Sequence, residues 1–363
     1  RRQTYTNNQS GPLSGGRSAA RVTLLCPPGK PAQPLDLKRV ERRTVGAMQG
    51  VWWEQLVLPQ YCRNATLLCL GNSAPVASLI GPGRVAVMVH DLSYLYYPEA
   101  YRLRYRIGHW LMLPLLLQRA DWIFTVSQTE RERIAQVSRR GAASIAVVPN
   151  GGWPEEGAAA SSPLSGLPGR YALYVGSLSH RKNFGRLLQT AIRLVREDGM
   201  DFVFAGSSGT VLKRPDFHLP RDVADRIHFI GQINDQDMLG RFYAGADVLV
   251  FPSLYEASPL PPLEAAHFGC PVVASNIPSI WERCGESVAY CNPLSVESIL
   301  GAVRRVIATP AERARQQVLV SQRAARGSWA DQAKAICTAI LPEAAWQDAP
   351  TPALSPALSP ARA

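Results

Sequence analysis

Two glutamates eight residues apart, Glu256 and Glu264, are the side chains whose spacing best suits chemistry. Pro261 and Pro262 fit the first turn of a helix but not its interior. We therefore predict that Glu256 lies in a loop and that Glu264 lies just inside a helix, which ends at Gly269. Backbone N–H groups at the start of that helix would point outward and could hold an anion. Carboxylates beside such a site suit a ligand that carries both hydroxyls and phosphates. The simpler alternative is that Glu264 only interacts with the helix dipole and that Glu256 is a solvated loop charge.

A basic turn provides a second candidate. It follows a predicted strand, Tyr171–Val175, and precedes a helix that begins at Phe184. Gly176 at the end of the strand lets a ligand approach the backbone, and Arg181 and Lys182 would neutralise negative charge. The turn therefore fits a diphosphate clamp, and an ordinary exposed basic turn is the alternative. It is not a P-loop, because the pattern G-x-x-x-x-G-K-[ST] is absent.

Three weaker patterns lie near predicted strand or helix ends. His90 and Asp91 follow a predicted strand, at an edge where parallel sheets bind ligands. The loop 206–209 follows another strand and could touch a ligand. Asp235 and Asp237 form a D-x-D pattern, but they precede an amphipathic run and most simply cap that helix. We therefore assign no metal.

Short apolar runs alternate with helical patterns along the chain. Strands are predicted at 22–26, 66–70, 85–89, 122–126, 145–148, 171–175, 202–205, 227–230, 248–251 and 272–275. Helices are predicted at 101–117, 129–137, 184–196 and 237–244, from 261, and over most of 311–341. The alternation indicates an α/β fold with parallel sheets covered by helices on both faces.

Changes in composition divide the chain into segments. Residues 1–21 are polar and rich in Gly and Ser, and an irregular segment is predicted there. Residues 151–170 lose all periodicity and are rich in Gly, Ala, Ser and Pro, as interdomain linkers are. Two domains would then begin at 22 and at 171, with a cleft at the carboxyl ends of their strands. The tail 342–363 repeats Ala-Leu-Ser-Pro and is predicted to be disordered.

The net charge of the chain indicates the class of molecule that it binds. The net charge is +11, which suits an anionic partner such as a phosphorylated small molecule or an acidic membrane face. No nucleic-acid-binding signature accompanies this charge.

The cysteines and the apolar runs bear on the compartment. The seven cysteines form no C-x-x-C pair and are typical of the buried, reduced thiols of a cytoplasmic protein. The longest apolar run, 110–117, is too short to cross a bilayer and predicts a core helix, with a shallow membrane contact as the alternative.

The order of several motifs resembles one known family. The motifs are Tyr-Val-Gly-Ser-Leu-Ser-His-Arg-Lys-Asn at 174–183, Phe-Ile-Gly at 229–231, Ala-Asp-Val-Leu-Val-Phe-Pro-Ser at 246–253, Tyr-Glu-Ala-Ser-Pro-Leu-Pro-Pro-Leu-Glu-Ala at 255–265 and Gly-Cys-Pro-Val-Val-Ala-Ser at 269–275. Together they resemble the donor domain of the retaining glycosyltransferases of family 4, which have the GT-B fold. Four further motifs resemble the acceptor half of that family. They are Trp-Glu-Gln at 53–55, Val-His-Asp-Leu-Ser at 89–93, Thr-Val-Ser at 125–127 and Val-Pro-Asn-Gly at 148–151.

The resemblance implies two Rossmann-like domains whose parallel sheets face a cleft. It assigns 22–150 to an acceptor-side domain and 171–325 to a domain that binds a nucleotide-sugar donor. Ser328-Trp329 resembles the start of a helix that crosses back to the first domain, expected at 326–341. The family's first strand, glycine loop and first helix have no clear counterpart before Val22, so the first domain is expected to be incomplete at its N-terminus.

The resemblance also implies roles for the candidate residues. Arg181 and Lys182 would hold the diphosphate of the donor. Glu256 would hydrogen-bond hydroxyls of the transferred sugar, and Glu264 would hydrogen-bond those of the ribose. His90 would face the sugar from across the cleft. The residues expected to act in catalysis are Arg181, Lys182, Glu256 and His90.

The remaining donor contacts would come from loops and backbone. N–H groups around Ser258 to Leu260 would meet the phosphates or the sugar. The expected donor-binding residues are Gly176, Ser177, Arg181, Lys182, Gly231, Glu256, Ser258, Pro259, Leu260 and Glu264. Two positions depart from the family pattern: Ser177 stands where an arginine is usual, and Ala-Ser-Pro stands at 257–259 where Gly-aromatic-Gly is usual. Pro259 also removes one N–H from the site.

The resemblance predicts a metal-independent enzyme without a cofactor. It would move a hexose from a nucleoside diphosphate sugar, with GDP-mannose or GDP-rhamnose favoured, to a saccharide or lipid-linked saccharide with retention of configuration. It would act in the synthesis of surface polysaccharide such as lipopolysaccharide, in the cytoplasm and in peripheral contact with the inner, anionic membrane face. No nucleic acid partner is expected. A sugar-nucleotide epimerase of the same fold and a non-catalytic sugar-nucleotide-binding protein are the alternatives.

Overall fold

The computed structural model describes residues 4–8, 22–29, 40–152, 168–207, 212, 216–324 and 327–341. Within these ranges the chain forms two open sheets flanked by helices. The predicted α/β fold class is confirmed. The predicted linker at 151–170 lies mostly outside the described residues, and the predicted tail at 342–363 lies entirely outside them.

The first sheet is mixed. Its strands are β1 (Thr4–Asn8), β2 (Val22–Cys26), β3 (Glu41–Thr44), β4 (Ala65–Cys69), β5 (Arg84–Met88), β6 (Trp122–Thr125) and β7 (Ile145–Val147). Among the described residues they are ordered β3-β2-β1-β4-β5-β6-β7. β2 pairs with β3 in parallel, and β4 to β7 pair in parallel, whereas β1 runs antiparallel to both of its neighbours.

Strand β1 shows that the prediction of an irregular segment over 1–21 is wrong at residues 4–8. Its backbone pairs on both sides, with Tyr5 opposite Leu24 in β2 and opposite Leu68 in β4. A short polar strand of this kind forms because distant strands offer it hydrogen-bond partners, and local periodicity does not reveal such pairing. Residues 1–3 and 9–21 lie outside the described residues.

Helices connect these strands and complete what we term the first domain. They are α1 (Gly50–Trp52), α2 (Val76–Ile80), α3 (Ser93–Tyr96), α4 (Leu103–Arg119) and α5 (Gln128–Val137). Helix α4 contains the longest apolar run and continues through Pro114. Its inner residues Leu116 and Leu117 belong to a buried cluster with Val87 of β5. This core supports the loops that leave the carboxyl ends of β5 and β6.

The second sheet is entirely parallel over the described residues. Its strands are β8 (Tyr171–Val175), β9 (Asp201–Ala205), β10 (Ile227–Gly231), β11 (Val248–Phe251), β12 (Val272–Ser275) and β13 (Ala289–Cys291), in the order β10-β9-β8-β11-β12-β13. All residues of β11 and β12 are buried, as expected of strands covered on both faces. The helices of this second domain are α6 (Phe184–Asp198), α7 (Gln236–Gly245), α8 (Leu260–His267), α9 (Pro278–Cys284), α10 (Val296–Ala308) and α11 (Pro310–Ala324).

A last helix, α12 (Trp329–Ile340), returns to the first domain. A capping box of the Ser-x-x-Asp type begins it. The side chain of Gln332 donates to the carbonyl oxygen of Val148 at 3.0 Å. Ile336 shares a buried cluster with Phe124 of the first sheet. The chain therefore crosses from the second domain back onto the first sheet, and α12 contacts Gly152, where the predicted linker begins.

Candidate functional site

Two loops at the centre of the second sheet bring together the side chains that the sequence singled out. One loop follows β8 and carries Arg181 and Lys182, and the other follows β11 and carries Glu256. Because β8 and β11 are adjacent parallel strands, both loops leave the same edge of the sheet. The backbone N–H of Leu254 donates to the carbonyl oxygen of Arg181 at 2.9 Å, which ties the two loops together.

Asn183 fixes the direction of the basic turn. It follows a 3-10 turn, His180–Lys182, and leads into α6 with a φ of 62°. Asparagine adopts this left-handed conformation more readily than most residues. Its side-chain amide donates to the carbonyl oxygens of Pro252 at 2.9 Å and Pro293 at 2.6 Å. The basic turn is therefore anchored on the loops that follow β11 and β13.

Lys182 and Glu256 form a buried ion pair. Nζ of Lys182 lies 2.5 Å from Oε1 of Glu256, and the two side chains are 11% and 6% exposed. Burial lowers the pKa of Lys182, and Glu256 opposes that shift. Nζ also lies 5.0 Å from the ring centroid of Phe251. The residue predicted to hold phosphate and the residue predicted to hold sugar thus neutralise each other in this structure.

Arg181 adds a second cation to this cluster. Its Nη1 donates to the carbonyl oxygen of Tyr255 at 3.1 Å and lies 3.9 Å from Oε2 of Glu256. Burial disfavours its charge, but the nearby Glu256 holds the pKa of Arg181 above its ordinary value, with help from Tyr101. Among the described residues, the buried Nε of Arg181 has no hydrogen-bond partner. A buried guanidinium donor without a partner is suited to bind an anion.

His90 and Asp91 lie in the loop after β5, at the carboxyl edge of the first sheet, and both are half-buried. The backbone N–H of His90 donates to Oδ1 of Asn72 at 2.7 Å, and its ring Nε2 lies 3.0 Å from the carbonyl oxygen of Leu70. Oδ1 of Asp91 accepts a hydrogen bond from the backbone N–H of the nearby Ser93 at 2.9 Å. The backbone N–H of the next residue, Leu92, donates to the hydroxyl of Tyr255 at 3.1 Å, so this loop contacts the loop that carries Glu256.

Glu264 lies on α8 and is bound by a tyrosine. Its Oε2 accepts a hydrogen bond from the hydroxyl of Tyr243 at 2.7 Å, and burial raises the pKa of both groups. Helix α8 begins at Leu260, and Pro261 and Pro262 in its first turn supply no N–H. The anion site predicted at this helix start therefore has fewer backbone donors than expected.

A cavity of about 200 Å³ lies at the same edge of the second sheet. Gly176, Ser177 and Gly206 line it, together with Gln232, which follows Gly231. Gly206 has a φ of 152°, and a Cβ on it would lie 1.9 Å from the carbonyl oxygen of Gly176. Only glycine fits there, because the loops after β8 and β9 approach each other so closely.

A buried carboxylate at the domain boundary has no obvious sequence signal. Glu130, on α5, is 0% exposed, and its Oε1 accepts a hydrogen bond from the hydroxyl of Tyr255 at 2.6 Å. Its Oε2 accepts from the backbone N–H of Leu92 at 3.2 Å. Ser127 and Glu130 have the spacing of a helix cap, and Ser127 does cap α5. This local pattern accounts for a glutamate at position 130 and does not indicate its contact with Tyr255, which is 125 residues away in sequence.

The other candidates have structural roles. Oδ1 of Asp235 accepts from the backbone N–H of Met238 at 2.9 Å, so Asp235 caps α7 as predicted. All seven cysteines are free; five are buried, and Cys26 and Cys337 are half-buried. Across the ranges that the structure describes, no three His, Cys, Asp or Glu side chains gather as a metal site would require. The end of the loop 206–209 lies outside those ranges.

Two family models match the two halves of the chain. The model described as Glycosyltransferase Family 4 matches residues 17–152, and the model described as Glycosyl transferases group 1 matches residues 169–309. One match falls on the first domain and the other on the second. The chain therefore belongs to the family 4 glycosyltransferases, as the order of its motifs predicted.

Curated relatives share part of the chain. A glycogen synthase from Mycobacterium tuberculosis is 31% identical over 215 residues, which make up 57% of this chain and 50% of the relative. An O-antigen chain mannosyltransferase B from Escherichia coli is 37% identical over 134 residues, which make up 36% of this chain and 34% of the relative. The chain thus spans half the length, or less, of these curated relatives.

Solved structures share the fold. HepE from Anabaena, in complex with UDP-glucose, has a TM-score of 0.58 and 16% identity to this chain, over 73% of this chain and 74% of that one. A sucrose-phosphate synthase from Thermosynechococcus elongatus has a TM-score of 0.55 and 22% identity, over 71% of this chain and 67% of that one. At these identities the likeness establishes the architecture alone, which is GT-B.

Proposed function

We propose that this protein transfers a hexose from a nucleoside diphosphate sugar to an acceptor hydroxyl, with retention at the anomeric carbon. The proposal depends most on the buried cluster of Arg181, Lys182 and Glu256 at the carboxyl edge of the second sheet. Two cations suit a diphosphate, and a carboxylate suits sugar hydroxyls. Membership of the glycosyltransferase family supports the same class of reaction.

Donor binding would rearrange the pair of Lys182 and Glu256. A diphosphate brings negative charge towards Lys182 and towards Nε of Arg181, which has no partner among the described residues. As Lys182 turns to a phosphate oxygen, Glu256 becomes able to accept hydrogen bonds from the sugar. Each buried charge would thus be paired before and after binding, which avoids the free-energy cost of a lone buried charge.

The two cations would also stabilise the departing diphosphate. The bond between the anomeric carbon and the phosphate oxygen breaks, and the acceptor oxygen bonds to that carbon on the same face. The acceptor proton passes to the departing phosphate. Negative charge grows on the phosphate as its bond breaks, and Arg181 and Lys182 would stabilise that charge without a metal ion. His90 would contact the sugar from the first domain, and neither Glu256 nor Glu264 acts as a nucleophile.

The nucleoside would lie at the cavity lined by Gly176 and Ser177. Its volume of about 200 Å³ suits a flat ring better than a whole nucleotide, and the backbone at Gly231 lies beside it. Glu264 would then accept hydrogen bonds from the ribose hydroxyls, while Tyr243 holds its other side.

The start of α8 would contact the phosphates or the sugar. Ser258 has a buried hydroxyl that lacks a hydrogen-bond partner among the described residues. This hydroxyl and the N–H of Leu260 would replace the backbone donors that Pro259 and the two following prolines remove. We therefore assign donor contacts to Ser258, Pro259 and Leu260, with the serine hydroxyl as the main one.

The relatives bear on the donor sugar. The O-antigen chain mannosyltransferase is 37% identical over its matched stretch, and the glycogen synthase is 31% identical over a longer one. We favour a GDP-mannose or GDP-rhamnose donor and a role in surface polysaccharide synthesis. A glucosyl donor is the second candidate, because the glycogen synthase match covers more of the chain.

An apolar face of α4 suits a lipid-linked saccharide acceptor. Leu103, Ile107, Trp110 and Leu111 are exposed at helical spacing. Three of them line a groove of about 340 Å³ that also contains Arg106. Of the helices described, none is both long and apolar enough to span a bilayer. We propose that this face lies on the anionic inner face of the membrane, with the protein on the cytoplasmic side.

The experiment that tests the function measures binding first and transfer second. GDP, UDP, ADP and their sugars are screened for the rise in melting temperature that a bound ligand produces. The donor that binds is then incubated with lipid-linked saccharides, and the product's anomeric configuration is read by NMR. We expect GDP to raise the melting temperature and the released GDP to equal the sugar transferred with retention.

Other outcomes identify the alternatives. An inverted linkage would contradict the proposed mechanism. Epimerised donor without released diphosphate would indicate the epimerase. Donor binding without transfer to any saccharide extracted from cells would favour the non-catalytic binding protein.

A further inference from the structure

The loop that follows β11 is held from the first domain at consecutive residues. The hydroxyl of Tyr97 donates to the carbonyl oxygen of Leu254 at 3.1 Å. The hydroxyl of Tyr255 donates to Oε1 of Glu130 at 2.6 Å and accepts from the backbone N–H of Leu92 at 3.1 Å. Tyr255 therefore binds a carboxylate and a backbone amide of the other domain at once.

Arg133 extends this network to the next residue of the loop. Its Nη1 donates to Oε1 of Glu130 at 2.5 Å and to the carbonyl oxygen of Glu256 at 3.4 Å. Its guanidinium lies over the ring of Tyr255, 4.3 Å from the centroid. The residue whose side chain pairs with the buried lysine is thus held by its backbone from the first domain.

The hydrogen-bond donors to the carboxylate of Glu130 come from both domains. Arg133 and the backbone N–H of Leu92 belong to the first domain, and they would stay with Glu130 if the domains separated. The hydroxyl of Tyr255 is the donor that the second domain adds. Because Glu130 is fully buried, the hydrogen bond from Tyr255 stabilises the arrangement in which the domains are in contact.

We propose that Glu130 is a positioning residue, which acts through Tyr255 to set Glu256 against His90 and Asp91 across the cleft. Leu92 follows Asp91 directly, so one hydroxyl joins the loop of the first domain to the loop that carries Glu256. We call Glu130, Arg133 and Tyr255 the interdomain clamp. Its kinetic consequence rests on the proposed function, whereas its structural consequence does not.

Two variants test the clamp with little change of shape. Tyr255→Phe removes one hydroxyl and keeps the ring beneath Arg133. Glu130→Gln keeps the side-chain shape and removes the negative charge. Each should lower kcat by about 10²-fold, because a misplacement of about 1 Å in a reacting group costs that much. The affinity for GDP should change little, because Arg181 and Lys182 belong to the second domain.

The double variant and a control separate positioning from loss of stability. Glu130→Gln with Tyr255→Phe should be no slower than the slower single variant, because both remove one interaction. Glu282 makes another interdomain contact to α5, accepting from the backbone N–H groups of Gln128 at 2.6 Å and Thr129 at 2.9 Å. Glu282→Gln weakens the same domain boundary through a side chain that is not part of the clamp, and its kcat should equal that of the wild type.

Hydrogen exchange read by mass spectrometry tests the clamp without turnover. Peptides covering 90–96 and 252–260 should exchange faster in Glu130→Gln and Tyr255→Phe, and at the wild-type rate in Glu282→Gln. Unchanged exchange in both clamp variants would overturn the clamp whatever the activity. Faster exchange with wild-type kcat would overturn the positioning role. If the wild type transfers no sugar, faster exchange still supports the clamp, and the failure lies in the proposed function.

Discussion

Lys182 and Glu256 are 74 residues apart in sequence, yet Nζ of the lysine lies 2.5 Å from Oε1 of the glutamate. Each comes from a loop that leaves the carboxyl end of one of two adjacent strands. The pair joins these loops and keeps two buried charges neutral. In the proposed function, a phosphate that binds Lys182 would leave Glu256 able to accept hydrogen bonds from the sugar, which would couple the binding of phosphate to the binding of sugar.

Removing one member of this pair should cost both activity and stability. Lys182→Met leaves Glu256 buried without its closest cation, and such a loss typically costs about 3–5 kcal/mol. We expect the single variant to unfold in less urea than the wild type and to transfer no sugar. Lys182→Met with Glu256→Gln should regain much of the stability and remain inactive. Equal unfolding midpoints for the single and double variants would contradict this account.

The stability contributed by Glu264 should depend on pH with a defined sign. Burial raises its pKa above the ordinary value of 4.5, so the folded protein binds this proton more tightly than the unfolded chain does. The resulting stability is fully present below the unfolded pKa and is lost as the pH rises through the folded pKa. Glu264→Gln cannot titrate at this position.

We compare the free energies of unfolding of the wild type and of Glu264→Gln. The stability advantage of the wild type should fall as the pH rises from the ordinary pKa of a glutamate towards neutrality. Urea unfolding of both proteins at several pH values measures the difference. Tyr243→Phe should enlarge the fall, because the tyrosine hydroxyl stabilises the ionised carboxylate. A difference that grows with pH would contradict the prediction.

The return of α12 to the first domain should depend on a glycine. A Cβ on Gly151 would lie 2.4 Å from the backbone nitrogen of Trp329, so Gly151→Ala must displace the start of the helix. We expect a loss of about 1–3 kcal/mol, as for other overpacked sites. Gly152→Ala is the matched control, because its Cβ would meet nothing within 4 Å. Equal melting temperatures for the two variants would show that α12 adjusts without cost.

Membrane contact should depend on the exposed face of α4. Trp110 and Leu111 are 65% and 64% exposed, and burial of such side chains contributes about 1.5–3 kcal/mol each. Trp110→Ser with Leu111→Ser should therefore bind vesicles of anionic phospholipid at least about tenfold more weakly in a sedimentation assay. Leu294→Ser, at a residue of the second domain that is 63% exposed, is the control. If the double variant binds these vesicles as tightly as the wild type does, α4 does not form the membrane contact.

The strands that the sequence predicted best are the buried parallel ones. β8, β11 and β12 begin and end at the predicted residues, because a strand buried on both faces is a continuous apolar run. β2 also begins and ends as predicted, although it runs antiparallel to β1. β1, β3 and β13 were not predicted. β3 is Glu-Arg-Arg-Thr and mostly exposed at a sheet edge, and β13 has three residues, so neither carries a pattern of its own. These strands depend on pairing with neighbours that already exist.

By itself, the sequence determined the α/β class, the family and the loops that carry Arg181, Lys182 and Glu256, since apolar periodicity and motif order are local properties of the chain. Only the tertiary structure decided which of these side chains touch. The order of β8 and β11 in the sheet creates the lysine–glutamate pair, and the docking of the domains places Glu130 against Tyr255. Local patterns cannot encode these contacts, because strand order and domain docking bring together residues that are far apart in the chain.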